Sequence, residues 1–370
     1  MSGLWSPGEV MTVCGAVAAE KLGMTSMHEH VLCDTRCYRV LERIALEQYD
    51  DLDVEFNLST RGLVCDEGFF LSSENCLLDD REAMAEEVRA FREQGGRSML
   101  ELSCAGLRTD VEGVRDIARL TSINIVVGTG LYIEPSWSAQ ARAMDEHELE
   151  AFMVDEIENG IGDTGIRAGH IGEIGVTKLG DGERRVLRAG ARAAVRTGVA
   201  MTVHPGWEAC CDGREILPIL TGAGLAPERV IFAHGDAFFV EHDLRRLVLE
   251  HEQSWKVETG YHEALLAAGA NVSIDCFGHA WNIAARRWVI ESDFQRLAGL
   301  VALLARGFAD QIVLGTDICF KMLTRGGGGR GYVHLPGWVL PALSDLGVSD
   351  RDIHKLTVEN PARLLARVAS

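Results

Sequence analysis

The sequence predicts an α/β protein: a (β/α)8 TIM barrel with a long excursion after its first strand and a glycine-rich loop after its eighth. Three observations predict it. Eight short apolar segments, most of them rich in β-branched residues, recur along 370 residues. Helix-period stretches separate them. Many of the apolar segments end in a polar residue. Strands alternating with amphipathic helices build a parallel sheet. Eight such units in one chain fit a closed barrel better than an open sheet. The length exceeds that of most single domains, and a barrel accommodates residues 1–370 as one.

The segments run in order over 23–32 (GMTSMHEHVL), 97–103 (RSMLELS), 123–132 (INIVVGTGLY), 167–175 (RAGHIGEIG), 199–206 (VAMTVHPG), 229–236 (RVIFAHGD), 271–278 (NVSIDCFG) and 311–319 (QIVLGTDIC). The intervening stretches 79–96 and 181–198 open on Asp and close on Gly, the grammar of capped helices. Two regions break the alternation. Residues 35–79 hold few helix signals, and a connection that long is expected to be functional, here a lid over the site. Residues 324–338, TRGGGGRGYVHLPGW, carry four consecutive glycines that permit either close backbone approach or motion.

Lys and Arg total 36 against 55 Asp and Glu, a net charge of −19. Nucleic acid, whose phosphates demand a basic surface, is not an expected partner. No apolar run reaches membrane-spanning length, and MSGLWSPGEV lacks the charged-then-apolar pattern of a signal peptide. The ten cysteines include no C-x-x-C pair and are read as free thiols in a reducing cytoplasm. The expected partner is a small-molecule substrate, and a homodimer is the expected assembly.

In a parallel barrel all strand C-termini open on one face, where active sites are built. His28 and His30 close the first segment, two residues apart. Such a pair diverges on a helix but shares one face of a strand. Glu173 closes the fourth segment, His204 the fifth, His234 the sixth and Asp317 the eighth. Four imidazoles and two carboxylates at one mouth form a ligand set for two borderline divalent ions such as zinc. His28 and His30 then hold one ion together, and Glu29 points outward toward the helices. His170 is of opposite parity to Glu173 and also faces the helices. His147, His242, His251 and His262 lie in polar stretches and are expected to be solvated. His279 and His334 stay unassigned.

The motifs MHEHVLCD, GTGLYIEP, AGHIGEIG, TVHPG, FAHGD, LGTDICFK and VENPARLL, in this order and nearly end to end, resemble the phosphotriesterase branch of the amidohydrolase superfamily. The chain is most similar to the phosphotriesterase-related proteins. The resemblance implies that His28, His30 and Asp317 bind one metal and His204 and His234 the other. Glu173 would bridge them in place of the carboxylated lysine of many members, and Lys178 lies too far along to replace it. The implied cofactors are two divalent ions, zinc foremost, with manganese or cobalt as the other candidates. Extra residues between His234 and Asp275, and the identities of Cys319 and Arg330, depart from the pattern.

Two such ions ~3.5–4 Å apart activate a shared water for attack on a carbonyl or phosphoryl centre. Asp317 is expected to take the proton, and Tyr132 to donate a hydrogen bond at the reacting centre. A carboxylic amide or ester is the expected bond; a lactone or phosphotriester is the alternative, and a non-catalytic metal-binding barrel the alternative of another class. Substrate contact is expected from Lys321, Arg330 and Tyr332 after the eighth strand, with Arg330 gripping an anionic tail.

Overall fold

The structure is a computed structural model that describes residues 4–206, 212–250 and 256–369. Eight strands form its centre: β1 (Thr25–Glu29), β2 (Ser98–Glu101), β3 (Asn124–Thr129), β4 (His170–Gly175), β5 (Met201–His204), β6 (Val230–Phe232), β7 (Asn271–Ile274) and β8 (Ile312–Leu314). They lie side by side in chain order, each paired in parallel with the next. The principal outer helices are α1 (Arg81–Glu93), α2 (Val111–Thr121), α3 (Glu146–Glu158), α4 (Asp181–Thr197), α5 (Gly213–Gly222), α6 (Gly260–Ala267) and α7 (Asp293–Ala305). Asp80 caps α1 by accepting from the Ala83 N–H, and Gly198 ends α4 at φ 76°, a conformation that costs glycine little. Small apolar side chains of α4 (Ala189, Ala191, Ala193, Ala194) are buried against the sheet. An N-terminal hairpin, Glu9–Thr12 with Gly15–Ala18, places Val10 in one cluster with Met27, Leu100, Val126, Ile231 and Val313 of the barrel.

β8 meets β1 through a seam of a different kind. The Asp317 N–H donates to the His28 carbonyl at 3.0 Å. The rest of the seam is the side chain of Glu29. Its carboxyl group accepts from the Thr316 N–H (2.9 Å), the Thr316 hydroxyl (2.7 Å), the Ile318 N–H (3.3 Å) and the Ser26 hydroxyl. Glu29 therefore points into the β1–β8 seam and not outward to the helices, contrary to the expectation from strand parity. The pairing of β1 with β2 shifts register between Ser26 and Glu29, and the residues beyond the shift no longer alternate simply. The same effect corrects His170. β4 shifts register against β5 between Ile171 and Ile174. His170 is buried and bonds the Thr202 hydroxyl at 2.8 Å, on the strand position of the same parity as His204.

His242 and His262 are buried rather than solvated. The nitrogens of His242 face the carbonyls of Val289 and Ala237, and His262 donates to the Gly235 carbonyl. Both sit where a surface-like sequence stretch is covered by a neighbouring loop. His147 is exposed as predicted, and His251 lies outside the described residues. The glycine run after β8 serves close approach: a Cβ on Gly327 would stand 1.8 Å from the Lys321 carbonyl oxygen, and one on Gly329 2.3 Å from Leu323 backbone. The eight described cysteines are free, and Cys210 and Cys211 lie outside the described residues. No described helix is long and apolar enough to cross a membrane.

Removing the Glu29 carboxylate strands two backbone N–H groups at a buried seam. Glu29→Ala is expected to cost on the order of 2–4 kcal/mol. Equilibrium denaturation checks this; an unchanged midpoint would show that β1 and β8 close without it.

Candidate active site

Six side chains from five strand ends converge. The His28 Nε2 lies 3.0 Å from Glu173 Oε2 and 3.6 Å from Asp317 Oδ1, and the His30 Nε2 lies 3.2 Å from Asp317 Oδ1. The His204 Nδ1 is 3.4 Å from Glu173 Oε1, and the His234 Nε2 is 3.7 Å from Glu173 Oε2. Glu173 therefore stands between the His28 side and the His204–His234 side. The donor atoms of His28, His30 and Asp317 all fall within 4.8 Å of one another, as do those of His28, Glu173 and His234. Every member is buried. Two of them sit on unusual backbone: His234 at φ 53° and Asp317 at φ 45°, a region costly for a residue with a Cβ and often found at functional sites.

A seventh residue, Asp275 at the end of β7, orders the rings. Its carboxylate faces the Nδ1 of His28 at 2.8 Å and of His234 at 2.9 Å, and accepts the His234 N–H at 3.0 Å. A carboxylate only accepts, so both Nδ1 atoms carry the proton and both Nε2 atoms present lone pairs to the cluster. The His30 Nδ1 is held by the Ser103 hydroxyl at 2.9 Å, which turns its Nε2 to Asp317. Asp275 closes an apolar segment in the same way as the six predicted ligands; that signal in NVSID was present and went unused.

This arrangement fits a pair of divalent cations. The His28 Nε2 and Glu173 Oε2 are sealed from solvent and make no hydrogen bond. The His234 Nε2 and His204 Nδ1 face each other at 2.8 Å, which requires a proton or a cation between them. Electrostatics agree. Burial would discharge His28 and His234, but the Asp275 carboxylate, with Glu173 and Asp317 also acting on His28, raises both well above the ordinary imidazole value. Burial would raise Glu173, yet His28 and His204 hold it well below the usual carboxylate range. The cluster is built to hold positive charge.

It opens on a cavity whose lining includes His30, Glu173, His204, His234 and Asp317. The excursion after β1 contributes Thr35, Tyr38, Leu41, Glu42 and Phe69. Tyr132 reaches the cavity, its hydroxyl 3.4 Å from the His204 Nδ1 and hydrogen-bonded to that of Tyr38. His279 also lines it; its Nε2–H donates to the Asp317 carbonyl at 2.9 Å. The three predicted substrate residues are placed elsewhere. The Lys321 ammonium pairs with Glu74 at 3.2 Å. Arg330 is exposed beside Arg61 and Gly278, outside the cavity. Tyr332 is buried, and its hydroxyl donates to the His30 carbonyl at 2.7 Å, bracing the strand end that carries a ligand. His334 pairs with Asp293 at 2.7 Å and stacks on Trp338. The cationic residues that do line the cavity are Lys178 and Arg286, which the sequence reading had not placed there.

The model of the Phosphotriesterase family matches residues 8–365. The chain is 30% identical to a phosphotriesterase-related protein of Nematostella vectensis, over 96% of this chain and 97% of that one. It is 29% identical to an N-acetyltaurine hydrolase of Dictyostelium discoideum, over 97% and 98%. Among solved structures, a resiniferatoxin-binding protein from Rhodobacter sphaeroides superposes with a TM-score of 0.86 at 28% identity, over 99% and 98% of the two chains.

The ring-orienting role of Asp275 is testable by metal affinity. Asp275→Asn cannot accept from both Nδ1–H groups, and its amide N–H would confront one of them. A 10–100-fold loss of metal affinity is expected in chelator competition. Glu173→Gln is expected to lower metal content at both positions together, as read by elemental analysis; loss at one position alone would refute a bridging carboxylate.

Proposed function

The chain belongs to the phosphotriesterase family, and from that premise we propose that it hydrolyses a carboxylic amide of a small molecule, with an ester in second place and zinc as its resident divalent ion. The single observation that carries this reading is the sealed cluster of His28, His30, Glu173, His204, His234 and Asp317 opening directly on a cavity. A barrel that merely stored metal would have no use for that cavity. The amide is favoured because the Dictyostelium discoideum relative is an N-acetyltaurine hydrolase, and N-acetyltaurine is an amide.

His28, His30 and Asp317 would hold one ion, His204 and His234 the other, and Glu173 both. When bound, such ions supply an acidified water and a Lewis acid for the carbonyl oxygen. The chain's own residues do the rest. Asp317 offers more surface to the cavity than Glu173, with 10% against 1% of its side chain exposed. Burial opposes its charge, but His28 and the hydrogen bond from His30 lower its pKa, so it meets substrate ionised. It can receive the water's proton and return it to the leaving nitrogen. Tyr132 is a donor: burial and the neighbouring Tyr38 push its phenol well up, so the hydroxyl keeps its proton beside the reacting carbonyl. Glu173 requires no carbon dioxide to become a bridging anion.

Asp317→Asn is expected to lower kcat by ~10²–10⁴ while retaining part of the metal. Tyr132→Phe is expected to lower kcat by ~10²–10³ if its hydroxyl meets the developing oxyanion. A panel of N-acyl amides, esters, lactones and a phosphotriester tests the bond. Cleavage of lactone or phosphotriester without amide would reject the reading. Metal-free enzyme reloaded with or without bicarbonate is expected to regain equal activity; strong bicarbonate dependence would assign the bridge to a carboxylated lysine.

A further inference from the structure

The cavity's lining carries a cluster of aromatic rings past β7 and β8 and an ammonium past β4, and this says what kind of amide fits. In an eight-stranded barrel, β4 and β8 stand opposite each other. Past β8, Phe320 stacks on Phe69 of the excursion, with ring centroids 4.4 Å apart. Trp281, past β7, meets Phe69 edge-on at 5.0 Å. Its indole N–H is spent on the His279 Nδ1 at 3.1 Å, so it offers a ligand only apolar surface. All three line the cavity. They pack against one another and together present a preformed aromatic surface to the cavity.

Past β4 lies Lys178, five residues beyond Glu173. Glu183 anchors its loop by accepting from the Thr177 N–H at 2.7 Å and the Lys178 N–H at 3.1 Å. The side chain is exposed on the cavity wall, and no carboxylate among the described residues pairs with it. The other cationic side chain there is committed: Arg286 pairs with Glu42 of the excursion at 2.7 Å. Lys178 is thus the one unpaired cation on the cavity among the described residues. Lys178 follows β4 and the aromatic cluster follows β7 and β8, so the strand ends that carry His28, Glu173 and His234 lie between them.

We infer that the substrate is an amide joining a compact aromatic or bulky apolar group to an anionic group, the ring held by Phe69, Trp281 and Phe320 and the carboxylate or sulfonate by Lys178. This deepens the amide-hydrolase reading and rests on it. An ammonium is a point charge without a preferred fork, so carboxylate and sulfonate serve alike. An acetyl group is too small to cover that aromatic surface. Placing the two ends on opposite sides brings the scissile carbonyl over the cluster, so each end contributes orientation as well as affinity.

The test uses metal-loaded enzyme and three amides: N-(phenylacetyl)taurine, N-acetyltaurine and the uncharged N-ethylphenylacetamide. The first is expected to exceed each of the others in kcat/KM by roughly tenfold or more. Lys178→Gln is expected to collapse the anionic-over-neutral ratio and keep the phenylacetyl-over-acetyl ratio. Trp281→Ala is expected to do the reverse, with Trp281→Phe restoring the preference. Calorimetric titration is expected to show phenylacetyltaurine binding more tightly than acetyltaurine, and binding of the former weakened by Lys178→Gln. Equal or better use of the acetyl amide, or an unchanged charge ratio in Lys178→Gln, would overturn the inference. If no amide is cleaved but a lactone or phosphotriester is, the amide reading fails, and the calorimetric affinities then decide the two subsites on their own.

Discussion

One buried carboxyl group joins the ends of the barrel. Glu29 sits between the two imidazoles that a β-strand presents together, and it binds the backbone on both sides of Asp317, at Thr316 and Ile318. The Asp317 N–H completes the seam at the His28 carbonyl. The residue between the two histidines of His-Glu-His therefore determines where Asp317 stands. Gly315 belongs to the same constraint, because a Cβ there would stand 2.9 Å from the His28 Cβ and carbonyl oxygen. The left-handed backbone of Asp317 costs energy by itself, and the hydrogen bonds on either side of it offset that cost. Burial raises the pKa of Glu29 to about 7 against its hydrogen bonds, which shows how far the seam lies from water.

A second layer does for His28 and His234 what Glu29 does for Asp317. Asp275 fixes both rings, and Asp236 in turn accepts from the Asp275 N–H at 3.2 Å and the Cys276 N–H at 3.1 Å. Arg296, fully buried, pairs with Asp236 at 3.1 Å, Glu291 at 3.0 Å and Asp293 at 2.7 Å. Buried ion networks add little net stability, but breaking one leaves an uncompensated charge. The placement of this one, directly behind the β6 and β7 ends, ties its integrity to ligand geometry. The strand ends are therefore held from behind by hydrogen bonds and ion pairs, while the loops complete the cavity wall.

That division explains what could be read from sequence. Strand ends announce themselves by an apolar run and a polar stop, and His28, His30, Glu173, His204, His234 and Asp317 all obeyed that rule. Asp275 obeys it too, closing NVSID as the others close their segments. Parity failed wherever a register shift interrupts a strand, at Glu29 and at His170, because periodicity presumes an unbroken ladder. Among loop side chains Tyr132 was legible, but the cations were not. Lys321 and Arg330 follow β8 as Lys178 follows β4, at greater distance, and the direction of each depends on partners remote in sequence. Glu74, 247 residues from Lys321, claims that ammonium. Of the two uses open to the glycine run, close approach is the one realised: the backbone packs on itself around Lys321 and Leu323.

The acidity of the molecule sharpens the meaning of Lys178. At a net charge of −19, the far field repels an anion. Screening confines that repulsion to about 8 Å from each exposed charge at physiological salt. Within that distance the cavity's own lining governs, and Arg286 is neutralised there by Glu42. One uncompensated ammonium on the cavity wall then supplies the short-range attraction that the far field lacks. Selection of an anionic substrate can therefore reside in a single loop residue, while the strands that hold the metals stay unchanged. It also explains why the charge sits at the rim. Closer to the cluster, an ammonium would repel the very cations that His28, Glu173 and His234 are arranged to hold.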